Sequence, residues 1–226
     1  MTRVASVTMA CTVALLTAGA ERAWAQTPLP GRVEVAAGGL WIAAQTLGSG
    51  DANETTSTGS ARPLFTAAST LAAAPAFEAR AAVKLTRALE LESWATYARP
   101  ALRVQLGSDA ENAPSITATE SLQQLTVGAG ANWYFLRRRP TRVFPFVGGG
   151  AGYLRQLHEG ATLAQTGECY QAGGGVKVLL TSRIRKHLKG AGVRADARAF
   201  VRSKGVAFDG RRAPSLALGV SLFVRF

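Results

Sequence analysis

The sequence predicts an all-β fold, an eight-stranded antiparallel up-and-down β-barrel that crosses a membrane as a closed sheet. Three observations predict it. From Ser215 to Phe226 the residues alternate without a fault: Leu216, Leu218, Val220, Leu222, Val224 and Phe226 fall on one face, and Ser215, Ala217, Gly219, Ser221, Phe223 and Arg225 on the other. That is a strand with one apolar side. Similar alternation recurs in stretches upstream. Beyond the N-terminal segment nothing approaches a transmembrane helix, and backbone polar groups in lipid must be satisfied within the fold, so a spanning chain here has to be a sealed sheet.

The N-terminus supplies an address. Arg3 gives a positive start, Val7 to Ala20 is apolar or small, and Ala23-Trp24-Ala25 places small residues at the two positions a signal peptidase reads. Residues 1–25 are therefore expected to be a cleaved signal peptide, and 26–226 the barrel domain. A transmembrane helix fits less well, because the apolar run falls short of roughly 20 residues and Glu21-Arg22 ends it. A lipid anchor at Cys11 would cut that run in half.

In chain order, the first strand spans about Arg32 to Ala43, with Val33, Val35, Ala37, Gly39 and Trp41 opposing Arg32, Glu34, Ala36 and Gly38. The second, Phe77 to Thr86, sets Phe77, Ala79, Ala81, Val83 and Leu85 against Glu78, Arg80, Ala82, Lys84 and Thr86. A helix through this segment would bury Arg80 and Lys84 beside its apolar stripe, so a strand is favoured. Leu89 to Tyr97 is the third, opposing Glu90 and Glu92 to Leu89 and Leu91. Pro100 then breaks the ladder and Leu102, Val104 and Leu106 continue in shifted phase, which predicts a bulge near the membrane rim. The fourth runs through Gln124–Phe135, the glycine-rich fifth through Val143–Leu154, the sixth through Tyr170–Leu180 and the seventh through Val193–Val201. Ser215 to Phe226 is the eighth.

Connections alternate in length, as an up-and-down barrel requires. Long ones, including Gly48-Ser49-Gly50-Asp51 and Gly107 to Thr119, are expected as outer loops. Short or basic ones, such as Arg87-Ala88 and Arg137-Arg138-Arg139, are expected as periplasmic turns.

If the apolar face meets lipid, the inward set includes Glu34, Glu78, Glu90, Glu92 and Asp196 with Arg80, Lys84, Lys177, Arg194 and Arg198. An eight-stranded barrel is only wide enough to be filled by side chains, and charges buried there must pair. An ion-pair plug follows, with Glu34, Lys84 and Glu90 as neighbours near its periplasmic end. A large pore does not, since porins use about 16 to 18 strands. The alternative is a soluble sandwich with a solvated polar face.

Other signals carry less. The formal charge of +12 would suit nucleic acid, but export and the scatter of the basic residues argue against that partner. Loss of residues 1–25 leaves Cys169 as the single cysteine, so no internal disulfide is expected. Cys169 is expected inward near the outer rim as a buried small residue. The glycine runs at 148–152 and 173–175 match no nucleotide fingerprint and fit tight curvature and close packing. No cofactor or metal site is indicated. His158-Glu159 lies in an outer loop and His187 in a turn; without a distinctive serine, enzyme activity is not expected. Arg202, Lys204, Arg211 and Arg212 are candidates for lipopolysaccharide phosphates, and the turn residues Arg183, Arg185, Lys186 and Lys189 for phospholipid headgroups. Trp41, Trp133, Tyr134, Phe135, Phe144, Phe146, Tyr153 and Tyr170 lie near strand ends as interfacial girdles would.

With the export signal, eight alternating segments, charged interior and closing Leu218-Gly-Val-Ser-Leu-Phe-Val-Arg-Phe226, the chain resembles the small bacterial outer-membrane β-barrel superfamily of outer-membrane protein A and the opacity-type proteins. The resemblance implies a Gram-negative outer-membrane location and a terminal strand, carried here by Leu218, Val220, Leu222, Val224 and Phe226, that the barrel-assembly machinery reads. It implies outer-membrane lipids as partners. The expected function is a monomeric, non-enzymatic integral outer-membrane protein with an envelope-structural or loop-binding role. The alternatives are a soluble periplasmic or secreted barrel for a small apolar ligand, and an outer-leaflet lipid-modifying hydrolase.

Overall fold

The computed structural model describes residues 32–55, 59, 61–107, 114–135, 142–158, 163–182, 188–203 and 214–226. The signal peptide lies outside them, as do Arg137 to Arg139, Glu159, Arg183, Arg185, Lys186, His187, Lys204, Arg211 and Arg212. Twelve strands are present among the described residues: β1 (Val33–Ile42), β2 (Gln45–Thr55), β3 (Ala61–Leu71), β4 (Ala74–Lys84), β5 (Leu89–Ala98), β6 (Ala101–Gly107), β7 (Ile116–Ser121), β8 (Gln123–Tyr134), β9 (Val143–Leu157), β10 (Ala164–Ser182), β11 (Gly190–Ser203) and β12 (Pro214–Arg225). Eight of them, β1, β4, β5, β8, β9, β10, β11 and β12, close into a barrel in which each pairs antiparallel with the next and β12 returns to β1. This is the predicted up-and-down barrel, and each predicted strand overlaps one of the eight.

The other four correct the expectation of two long outer loops. They form a second sheet in the order β2-β3-β6-β7, standing on the ends of β1, β4, β5 and β8. These connections read as loops because serine, threonine, alanine and glycine give little contrast between alternate positions. Their backbone groups are nonetheless paired strand to strand. Pro100 is the seam rather than a bulge: β5 ends at Ala98, the Pro100 carbonyl accepts from the Leu122 amide at 2.9 Å, and β6 begins at Ala101.

Alternation keeps its parity across that seam while its polarity inverts. Along β5 and β6 the inward positions run from Glu90 and Glu92 through Ala98 and Pro100 to Leu102. Outward positions run from Leu91 and Tyr97 to Arg103. In the barrel the outward residues are apolar and exposed, including Val35, Phe77, Val127, Leu218 and Val220. In the upper sheet Thr70, Arg103 and Thr119 share one exposed face, while Leu47, Leu71, Leu102 and Leu122 pack together on the other with Val104 against them. One wall therefore turns an apolar outside and a charged inside into a polar outside and an apolar inside within a few residues.

The barrel interior is layered. Toward the upper sheet, Leu40, Ile42, Ala76, Ala98, Leu154, Cys169, Phe200 and Ala217 form an apolar layer. At the opposite end Ala36, Leu179 and Phe223 pack with Phe144. Charged side chains fill the space between. The wall opposite them is rich in glycine, and at Gly128 and Gly150 the reason is contact. A Cβ on Gly150 would lie 2.5 Å from the Ala129 carbonyl oxygen and 2.6 Å from Cη2 of Trp94, so the indole occupies space that any side chain there would need. Gly150→Ala is expected to cost about 1–3 kcal/mol by overpacking, measurable as a lowered urea midpoint of the folded barrel in detergent.

Three residues expected in the aromatic girdles lie inside instead. Tyr134 and Phe146 are buried with ring centroids 5.8 Å apart, and Phe144 packs in the lower apolar layer. Each occupies the inward phase of its strand, which overrides its closeness to a strand end. Trp41, Trp133, Phe135, Tyr153 and Tyr170 are exposed on the outer wall.

Candidate functional site

Six charged side chains from β4, β5 and β11 form a closed ring of alternating sign. Glu78 accepts from Arg80 Nε at 2.5 Å; Arg80 Nη1 reaches Glu92; Glu92 also holds Arg194 Nη1. Arg194 Nε donates to Asp196 at 3.0 Å, Asp196 accepts from Arg198 Nε, and Arg198 closes the circle with a bidentate pair to Glu78 at 2.7 and 2.9 Å. Three arginines and three carboxylates leave the ring formally neutral. Thr96 and Gln171 take up remaining capacity at Glu78 and Arg198. The pairing is possible because β4 and β11 face each other across a lumen one side chain wide, where bidentate arginine geometry suits a carboxylate.

Below the ring runs an open chain. Arg225 Nε donates to Glu34 at 2.7 Å, Glu34 accepts from Lys177 Nζ at 2.5 Å, and the same ammonium reaches Glu90 at 2.8 Å. Tyr134 OH donates to Glu90 at 2.9 Å, and the Asn132 amide donates to Glu90 and Glu92, joining chain to ring. Glu34 and Glu90 thus share Lys177 rather than Lys84. The Lys84 ammonium instead sits 5.0 Å above the Tyr134 ring and is the one expected member of the network without an ion pair among the described residues. Arg225 completes the network without having been expected in it; with Asn132 and Tyr134, it was visible only as an inward phase in the alternation.

A cavity of about 20 Å³ adjoins the ring, lined by Arg80, Trp94, Asn132, Phe146, Gln171 and Arg194 among others. It has the size for one water. Trp94 Nε1 and Arg80 Nη2, buried and without a hydrogen-bond partner among the described residues, belong to side chains that border it.

Cys169 is buried in the upper apolar layer. Arg202 pairs in register with Cys169 on β10 and shares the inward phase of Arg198 and Phe200. It therefore faces the barrel mouth, not outer-leaflet phosphates as expected, because two-residue periodicity fixes its side. His158 Nδ1 lies 3.0 Å from Glu120, which ties the end of β9 to β7. Its Nε2 has no partner among the described residues, so no serine is held against it there. Among the described residues no three His, Cys, Asp or Glu side chains cluster as a metal site would need.

No family model matches the chain, and no curated protein matches it in sequence. Solved structures do. Neisserial surface protein A is 16% identical, with a TM-score of 0.50 over 86% of this chain and 97% of its own. Outer membrane protein OprG from Pseudomonas aeruginosa is 10% identical, with a TM-score of 0.47 over 88% and 98%. The attachment invasion locus protein of Yersinia pestis is 10% identical, with a TM-score of 0.35 over 86% and 99%. The likeness to Neisserial surface protein A shows the fold alone, that of a small closed eight-stranded antiparallel barrel.

Proposed function

We propose that the chain is a non-enzymatic integral outer-membrane protein whose sealed barrel carries the upper sheet as a binding surface outside the cell. The observation that carries this is the inversion of polarity at the seam. An exposed apolar belt below an exposed polar one is what a wall crossing from hydrocarbon into water requires. The paired interior supports an anchor rather than a channel, because among the described residues charged side chains fill the part of the lumen where a soluble lipid carrier would need an apolar pocket. On this reading Leu218, Val220, Leu222, Val224 and Phe226, the outward face of the last strand and the residue after it, are what assembly factors would meet.

The processed protein is expected to fractionate with the outer membrane, to need detergent, and to migrate faster on a denaturing gel unheated than boiled. A monomer that stays folded in plain buffer would overturn the reading. His158→Ala is expected to leave lipid composition unchanged when the protein is overexpressed. A lipid change that depends on His158 would make the His158–Glu120 pair part of a hydrolase instead.

A further inference from the structure

The outer wall of the barrel is not evenly covered. Between β1, β4 and β5 the outward residues Ala37, Ala79 and Ala95 stand side by side in register. Taller side chains, Phe77, Tyr97 and Leu125, border them one row nearer the seam. The result is a groove of about 550 Å³ in the apolar belt, open to the membrane and floored by methyl groups.

Cations stand at its upper end. Arg99, the next outward residue after Tyr97, donates from Nε to the Tyr97 hydroxyl at 2.6 Å and lies 5.6 Å from that ring's centroid. The phenol fixes one edge of the guanidinium and leaves its terminal nitrogens for a ligand. Arg155 sits in register with Leu125, two strands from Tyr97 and therefore about 10 Å from it along the row. Both arginines are exposed, and neither has a carboxylate partner among the described residues. The nearby outward carboxylate, Glu168, accepts from the Tyr170 hydroxyl at 2.8 Å. Arg103 adds a third exposed cation beyond the seam.

The geometry points to a site for one net-anionic lipid of the outer leaflet that carries terminal phosphate groups, with an acyl chain along the Ala37–Ala79–Ala95 groove and phosphate against Arg99 and Arg155. The groove lies in the apolar belt, so its occupant there is hydrocarbon. The arginines lie where the wall turns polar, at headgroup level, and guanidinium forks match phosphate oxygens. A free anion would satisfy the arginines and leave the groove unused; an uncharged lipid would do the reverse. This rests on the outer-membrane reading, whose own test is the fractionation of the wild-type protein. The lipid assay separates the two, because a membrane-resident protein can still lack the site.

Full-length processed protein in detergent would be titrated with mixed micelles of a diphosphorylated glycolipid, with phosphatidylcholine and with inorganic phosphate, retained lipid being read by native mass spectrometry. Wild type is expected to keep one glycolipid. Arg99→Ala with Arg155→Ala, and separately Ala79→Leu with Ala95→Leu, are each expected to weaken retention at least tenfold, with folded gel mobility unchanged. Should a double variant fail to fold, Arg99→Gln and Ala95→Leu singly carry the comparison. Equal retention of phosphatidylcholine, competition by inorganic phosphate, or a loss confined to the arginine variants would overturn the site.

Discussion

Glu92→Ala is expected to destabilise the barrel by about 3–5 kcal/mol, the cost of leaving buried charges without their partner. Glu92 bridges the ring: it holds Arg80 from β4 and Arg194 from β11 and accepts from Asn132. Its removal takes one carboxylate from each of two guanidinium groups, leaving Arg80 to Glu78 and Arg194 to Asp196, and gives the ring an uncompensated positive charge in a lumen where both arginines are almost fully buried. The measurement is reversible urea unfolding in lipid vesicles, followed by gel mobility. Removing the charges together gives the opposite sign of argument. Glu92→Leu with Arg194→Met takes out one charge of each sign, keeps the rest of the ring neutral with Arg80 on Glu78 and Asp196 on Arg198, and is expected to recover most of the loss, since a packed apolar pair of similar volume needs no desolvation to be offset. Lys84→Met serves as the contrast. With no ion pair to break, it is expected to cost far less than Glu92→Ala. Recovery failing in the charge-balanced double variant would show that the ring specifies how the strands meet, beyond neutralising itself.

The sequence made the inward list legible, because a period of two assigns a side to every residue once one face is known. It did not make the partners legible. Glu34, Lys84 and Glu90 sit near one another along neighbouring strands, yet Lys177 reaches both acids from across the lumen. Which bases meet which acids depends on stagger between strands and on lumen width, neither of which alternation encodes. Arg225 is the sharper case. It stands on the inward face of the last strand, one residue from the end, and pairs with Glu34 on the first strand only because the sheet closes there. The upper sheet was hidden for a different reason. Its rule is reversed, with apolar Leu102 and Val104 inward and threonines outward, so residues that continue the pattern look like a break in it. Pro100 marked the place of the reversal but not its nature.

That reversal predicts opposite outcomes for the same substitution at two heights on the wall. Val220→Arg places a guanidinium near the middle of the apolar face of β12, where its neighbours across the sheet are Gly39 and Ala195, too small to shelter it. The expected cost is about 2–4 kcal/mol for a cation at the bilayer midplane. Thr117→Arg puts the same group outward on β7, opposite Gln105, on the face read here as lying in water, and should change stability by no more than about 0.5 kcal/mol. The comparison is made by urea unfolding in vesicles and repeated in thinner bilayers. There the Val220→Arg penalty should shrink as the cation comes nearer an interface, while Thr117→Arg stays flat. Equal costs at both heights would mean that the seam is not where hydrocarbon ends, and the upper sheet would then belong to the same environment as the barrel beneath it.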